Sequence, residues 1–580
     1  MNLPSASLAA LLFAIVLPST IPFHAQATIP VPELPAAATP VSIDVDLSHS
    51  LGTYRPVDDW FGYDEANYTT APGGRKLLKE LHDLSPVPVY IRFHHLLTSG
   101  NGTPELKWSS TGVYGEDTEG HPVYNFTILD GLFDALKAAG VRPYVEFGFM
   151  PKDLAANLPN RPEPYQVHFP GNTISGSVNN PPKDYKKWGD LVRAVTAHLV
   201  QRYGRDTVMQ WYFEVWNEPD IDYWHGSPED YDRLYDYTVA AVRAALPGAR
   251  VGGPASTGPG SAKAAAFLRQ FLEHVQAGKS EVNGQPIPLD FISFHVKGKP
   301  IIENGHVTMS IAHELTDADR GFAIIQSFPR FRHLPVVLSE ADPEGCAACS
   351  SRQNPANNYR NGTMYPTYTA AAYKALLDLA RQHNIDLISM LSWSFEFEGK
   401  DYFEGFRSLS TNGIDKPILN FFRMAGLLSG DRVLTTSTGA TPLADLVPSG
   451  APDGDDVDAL ATSSVSGASG SAAILLWHYR EADTPAPAAA ITLRIHNLPP
   501  LARRILVQRY RIDANHSNAY TLWQHMGSPP QPTAQQYAEL HGRDGLELLT
   551  SPAWLSPSGG VLTLHFTLSS NSLSLLRLYW

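Results

Sequence analysis

Residues 209–219 read MQWYFEVWNEP, and this stretch decides the fold. Between Trp211 and Trp216 only Glu214 is neither aromatic nor β-branched, so the run fits a pleated surface. A strand so continuously apolar is buried on both faces, the condition of a parallel sheet covered by helices. Pro219 has no N–H to give to a ladder and turns the chain out of the sheet. Asn217 and Glu218 therefore stand at the strand's C-terminal end. A helix follows. Ser227 is a capping residue, Pro228 suits the first helical position, and Glu229 and Asp230 make an acidic first turn. Tyr231, Leu234, Tyr235, Val239 and Val242 then share one helical face.

The same strand-then-helix unit repeats on either side. Before it come strands near 60–62, 89–96 and 141–149, with helices over 75–84, 128–139 and 185–203. After it come strands over 249–255, 289–298, 334–343 and 385–398, with helices over 262–276, 311–328, 369–383 and 419–428. This alternation predicts an α/β chain whose parallel strands close into a (β/α)8 TIM barrel over residues 57–430. A doubly wound open sheet would want a Gly-rich phosphate turn after an early strand, and the sequence has none.

Both flanks differ in character. Residues 436–472 are rich in Ser, Thr, Gly, Ala and Pro, and short strand-like runs follow over 473–479, 491–496, 504–512 and at the C-terminal end. They predict an accessory β-sandwich domain over 431–580. Val41–Leu47 alternates apolar and polar residues and is expected to add a strand to it, behind a Pro- and Ala-rich leader over 28–40. The apolar run Leu8–Leu17 is too short to span a bilayer, and Ala25-Gln26-Ala27 has the form of a cleavage site. The expectation is an export signal over 1–27 and a secreted or periplasmic mature chain. With 44 basic against 58 acidic residues and no basic run, nucleic acid is not an expected partner; nor is a membrane, since no later stretch is long and apolar enough to cross one. Cys346 and Cys349 are too few for a structural zinc and, in an oxidising compartment, are expected to pair as a local disulfide.

Barrel enzymes work at the rim formed by the strands' C-terminal ends. Glu218 reaches that rim from strand four, beside Asn217, whose amide can bond a sugar hydroxyl. A second carboxylate ends strand seven: in VVLSEADP, residues 336–343, Glu340 closes an apolar run. Strands four and seven lie on opposite sides of a small barrel mouth. Two carboxyls facing each other there, about 5 Å apart, are what retaining glycoside hydrolysis requires, and that chemistry needs no cofactor or metal. Asp342 is a rival nucleophile whose plainer reading is an Asp-Pro turn residue.

Taken together, WYFEVWNEPD (211–220), LDFISFHVKG (289–298) and LSEADP (338–343) resemble family 39 of the clan A glycoside hydrolases, which includes β-xylosidases and α-L-iduronidases. The resemblance implies Glu218 as general acid/base and Glu340 as nucleophile. It also implies sugar contacts from His94, His295, Lys297, Trp393 and either Glu396 or Glu398, with Arg92 and His94 supporting the nucleophile. Two substrate readings follow. Residues 402–406 (YFEGF) and 412–417 (NGIDKP) resemble xylosidases after strand eight. Lys297 and residues 340–343 (EADP) resemble iduronidases, which also hold an Arg for the uronate carboxylate; Arg407 is the candidate. A neutral pentose needs no such charge pair, so an exo-acting β-xylosidase on plant-type oligosaccharides is preferred. The alternatives are an iduronidase-like or arabinose-releasing enzyme, or a non-catalytic carbohydrate-binding barrel.

Overall fold

A computed structural model describes residues 38–159, 166–167, 174–451, 454–466 and 469–580. The apolar run 8–17, the cleavage site 25–27 and the leader up to residue 37 lie outside them. Among the described residues no helix is long and apolar enough to cross a membrane.

The barrel strands, in chain order, are Trp60–Tyr63, Tyr90–Phe93, Arg142–Phe147, Tyr212–Val215, Arg250–Ser256, Phe291–Lys297, Pro335–Asp342 and a broken eighth, Asp386–Met390 with Ser392–Trp393. Successive strands pair in parallel. The broken strand closes the ring: its first half pairs with strand seven, while Ser392 and Trp393 pair with Phe61 and Gly62 of strand one. Gly62 is required there, because a β-carbon would overlap the Trp393 ring. The expected (β/α)8 barrel is therefore present.

Local signals set the surrounding helices. Ser227 and Asp230 form a reciprocal capping box at the start of Pro228–Ala245. The helix expected over 369–383 instead starts at Met364, after a cap residue that makes no side-chain bond, so its start carries no cap signature. Inside the barrel Trp60, Tyr90, Tyr144, Phe291, Val337, Leu391 and Trp393 pack into one cluster beneath the rim. Trp60 and Tyr90 stack with ring centroids 4.1 Å apart.

A second, mostly antiparallel nine-stranded sheet contains Thr39–Thr53, Asp431–Ser437, Asp455–Ser466, Ser469–Arg480, Ala489–His496, Ile505–Ile512, Ala553–Leu555, Leu562–Leu568 and Ser572–Tyr579. It folds upon itself, since Val41, Ile474, Leu493 and Leu578, from strands far apart in the sheet order, share one core. The alternate residues Leu475, Trp477 and Tyr479 belong to the barrel's core instead. That two-sided burial is why AILLWHY is almost unbroken in apolarity. The Ser- and Gly-rich stretch 436–472 corrects the sequence reading, for it holds a helix, Leu443–Ser449, and the twelve-residue strand Asp455–Ser466. Asp456 and Asp458 hide that strand from an apolarity count. Asp456 accepts from the Trp477 indole at 2.8 Å, and Asp458 pairs with Lys374 at 2.9 Å.

Candidate active site

Asn217 and Glu218 leave strand four in an unusual conformation. Trp216 has φ 69° and Glu218 φ 44°, left-handed values that cost energy for residues with a side chain. Backbone bonds hold them: Trp216 N–H donates to the Phe147 carbonyl at 3.2 Å and Glu218 N–H to the Ala255 carbonyl at 2.8 Å. Neighbouring strands thus aim Glu218 across the barrel mouth. Strand seven carries Glu340 to the opposite side. A carboxylate oxygen of Glu218, one of Glu340 and a ring nitrogen of His295 all lie within 4.8 Å of one another.

The two glutamates have different company. Glu340 accepts from Lys297 Nζ at 2.7 Å and from Arg92 Nη1 at 3.3 Å, with His295 Nδ1 3.8 Å away. Burial pushes its carboxyl up, but the fields of His295, Lys297 and Arg92 outweigh burial and hold it well below the usual carboxylate range. Among the described residues Glu218 has one close side-chain partner, His295 Nδ1 at 2.9 Å, and its side chain is 16% exposed against 6% for Glu340.

Arg92 is the hub beneath them. Fully buried, it bonds Glu214 at 2.6 Å, Glu146 at 2.9 Å and Asn217 Oδ1 at 3.0 Å, besides Glu340. Glu214 also accepts from the Tyr144 hydroxyl at 2.6 Å. His94 Nδ1 lies 2.7 Å from Glu146 and its Nε2 3.3 Å from Asp64. Burial pushes the His94 imidazole down to about 3, so it is uncharged at neutral pH.

Behind Glu340 runs a ladder of alternating charge. Lys297 also bonds Asp342 at 2.6 Å; Asp342 lies 3.4 Å from Arg407; Arg407 pairs with Glu344 at 2.7 Å, and Glu344 with Arg360 at 2.9 Å. Arg360 donates to the carbonyls of Cys346 and Cys349, both at 2.9 Å, and those two cysteines form a disulfide. Asp342 further accepts from the Trp393 backbone N–H at 2.9 Å. It is thus fully engaged by cations and backbone.

These groups surround a cleft of 660 Å³. Of the residues singled out in the sequence, His94, Asn217, Glu218, Lys297, Glu340 and Trp393 line it. His295 lies directly beneath, fully buried. Trp393 sits with its ring 4.2 Å from that of His94 and its indole N–H toward Asp64 at 3.3 Å. Glu398 is not brought to the cleft. It accepts from the Gly73 N–H at the N-terminus of helix Pro72–Leu84, where a carboxylate meets unsatisfied donors and the positive end of the helix dipole. Glu396 lies beside it, pushed up to about 8 by burial and by the neighbouring Glu398 charge. Asp64, Lys107, Tyr223, Glu344 and Arg360 line the cleft without having been singled out. The first four come from loops and Arg360 from the short 3₁₀ helix Pro355–Asn361, where no periodicity marks them. Glu146 and Glu214 did leave a signal, each a lone carboxylate inside an apolar strand and so in need of a buried partner.

Glu218, His295 and Glu340 are also the ligand types that could hold a metal ion. Lys297, 2.7 Å from Glu340, already places positive charge at that point.

Comparison with known proteins gives the chain its family. The model of "Glycosyl hydrolases family 39" matches residues 90–545. A β-xylosidase of Geobacillus stearothermophilus is 27% identical over 508 residues, covering 84% of this chain and 86% of that protein. An α-L-iduronidase of Mus musculus is 25% identical over 481 residues, covering 78% and 68%. The crystal structure of a monomeric β-xylosidase from Caulobacter crescentus superposes with a TM-score of 0.69 at 24% identity, covering 93% of this chain and 99% of the other, which shows the shared fold. The chain belongs to family 39 of the glycosyl hydrolases.

Proposed function

We propose that this glycoside hydrolase is a retaining, exo-acting β-xylosidase that releases terminal xylose from plant-type oligosaccharides. The observation that carries the mechanism is the approach of Glu218 and Glu340 oxygens within 4.8 Å. Retaining enzymes hold their carboxyls about 5–5.5 Å apart, whereas inverting enzymes leave room for a water at about 6.5–9.5 Å. Glu340, kept ionised by its cations, attacks the anomeric carbon. Glu218 gives its proton to the departing glycosidic oxygen. Water then resolves the glycosyl-enzyme, and Glu218 takes the water's proton. Arg92 holds Asn217 Oδ1, so the amide N–H groups of Asn217 are left to bond a sugar hydroxyl.

Charge supports a neutral sugar. The cleft's cations are already matched: Lys107 lies 3.9 Å from Asp64, Lys297 joins Glu340 to Asp342, and Arg360 pairs with Glu344. Arg407, the candidate uronate ligand, is buried and bound to Asp342 and Glu344. A uronate would have to break one of these pairs at the cost of an unpaired buried charge. The relatives named β-xylosidase point the same way.

A 2-fluoro-xyloside inactivator tests the assignment. The label is expected on the peptide containing Glu340, and β-xylosides are expected to give product of retained configuration by NMR. A label on Asp342, or an inverted product, would overturn the mechanism; turnover of an aryl α-iduronide in place of an aryl β-xyloside would overturn the substrate. The export reading rests on the sequence of residues 1–27. It predicts a mature chain beginning near Thr28, and N-terminal sequencing of exported material that begins at Met1 would contradict it.

A further inference from the structure

One edge of the second sheet takes no part in the catalytic reading. Ala553–Leu555 is the outermost strand there, followed inward by Ile505–Ile512, Ser572–Tyr579 and Ser469–Arg480. Trp554 stands opposite Leu506, and Leu506 opposite Tyr579, so the three side chains form one row on one face. Gln508 and Arg577 make the next row of that face. Farther along it Leu475 and Leu575 pack into the barrel's core, while Leu576 and Leu578, on the opposite face, build the sheet's own core. The outer row lies past both: Trp554 is 54% exposed. None of Trp554, Leu506, Tyr579, Gln508 and Arg577 lines the catalytic cleft.

The edge also departs from the charge of the chain. The protein carries 58 acidic against 44 basic residues, a net charge of −14. Yet residues 496–512 and 551–580, which supply the three outer strands and their turns, contain five arginines and no Asp or Glu. Arg509 bonds the Ser574 hydroxyl and Arg511 lies 3.4 Å from Asp513. Arg503, Arg504 and Arg577 have no carboxylate partner among the described residues. Arg504 lies over the Trp554 ring at 5.3 Å, and Arg577 over the Tyr579 ring at 5.1 Å. A guanidinium against an aromatic face stays charged and keeps planar N–H groups with which to clasp a carboxylate.

Aromatic faces and unanswered arginines together define the ligand. The row places Trp554 and Tyr579 two strands apart, about 10 Å, a span of two sugar rings in an extended chain. A neutral glycan would leave the arginines unused. A nucleic acid or an anionic bilayer would bring dense negative charge against a chain of net charge −14. A glycan with carboxylates spaced along neutral sugars satisfies both features. We propose that this edge is a docking surface for xylan bearing uronic-acid branches, whose sugar faces lie on Trp554 and Tyr579 and whose carboxylates pair with Arg503, Arg504 and Arg577. The xylan backbone rests on the β-xylosidase reading; the requirement for carboxylates rests on the arginines.

The test is isothermal titration of the full chain with glucuronoxylan and with neutral arabinoxylan, beside the variants Trp554→Ala, Arg504→Ala and Arg577→Ala. Glucuronoxylan is expected to bind, and arabinoxylan to bind about tenfold or more weakly. Trp554→Ala should weaken glucuronoxylan binding by about tenfold, and each arginine variant by about three- to tenfold, with the arginine losses shrinking at high salt. Nitrophenyl β-xyloside turnover and melting temperature should stay within about twofold and about 2 °C in all three, which separates docking from a structural role. Binding that the variants leave unchanged, or arabinoxylan bound as tightly as glucuronoxylan, would overturn the proposal. So would equally tight binding of duplex DNA or of phosphatidylserine vesicles, which would mark a general basic patch. Self-association that Trp554→Ala abolishes, without glucuronoxylan binding, would overturn it in favour of an interface between copies of this chain. Absence of xyloside turnover with glucuronoxylan binding intact would overturn the β-xylosidase reading and leave the docking surface standing.

Discussion

The ends of strands four and seven carry the same side chain and give it opposite surroundings. Glu340 sits low in the cleft against Lys297, Arg92 and His295, while Glu218 stands more open with one imidazole for company. The difference teaches that role follows from neighbours. A carboxylate gripped by cations is a permanent anion, suited to attack. A carboxylate that stands more open, with one close partner, is placed to hand a proton to the leaving oxygen and to take one from water.

The comparison breaks most sharply on deletion. Glu340→Ala is expected to lower turnover by about 10⁵-fold or more, since no covalent intermediate can form, and azide should restore rate as a glycosyl azide of inverted configuration. Glu218→Ala should cost less, about 10²- to 10⁴-fold, with the larger loss on substrates with poor leaving groups. In that variant azide should give a product of retained configuration. Equal losses on good and poor leaving groups would remove Glu218 from the acid role.

A subtler change sharpens the comparison. Lys297→Met takes away a cation that keeps Glu340 ionised and should raise the carboxyl's pKa. The enzyme needs the anion, so activity is lost as pH falls through that value. The acidic limb of kcat/KM should therefore move up by about one pH unit or more, with the alkaline limb in place. An unmoved acidic limb would show that Lys297 does not set the ionisation of Glu340. The smallest effect is expected at the far end of the charge ladder. The cysteines are only 3 positions apart, so reduction or Cys346→Ser should cost about 2 kcal/mol at most, read as a modest fall in melting temperature. Alkylation before and after reduction, followed by mass spectrometry, checks the bond itself.

What could be read in advance followed the range of the physical signal. Strand–helix alternation is local and repeated, so the barrel was legible, and with it the rim positions of Glu218 and Glu340. The Arg92 hub was legible only in part. Lone carboxylates in YVEF and YFEV announce a buried cation but do not name it, because partners across a barrel are far apart in sequence: Arg92 and Glu214 are separated by 122 residues. Glu398 was misplaced for a similar reason. Its chain position at the rim is correct, but beyond Trp393 the backbone crosses to the first helix, and no pattern in residues 394–398 marks that crossing. The strand Asp455–Ser466 stayed hidden because its aspartates are satisfied by Trp477 and Lys374, which no local window contains.

The strand Thr39–Thr53 has a consequence for how the molecule is made. It lies in the interior of the second sheet, antiparallel to Asp431–Ser437 on one side and parallel to Ala489–His496 on the other. Ser42 N–H bonds the hydroxyl of Thr438, 396 residues away. During synthesis this strand emerges before the barrel and stays unpaired until the barrel is complete. For all that time it is an open edge, able to template the wrong partner. A cell making this protein must keep that segment solvated or guarded while translation runs on. A clone trimmed to begin at the barrel would lose a central slat of the sheet and leave two orphaned edges ready to aggregate.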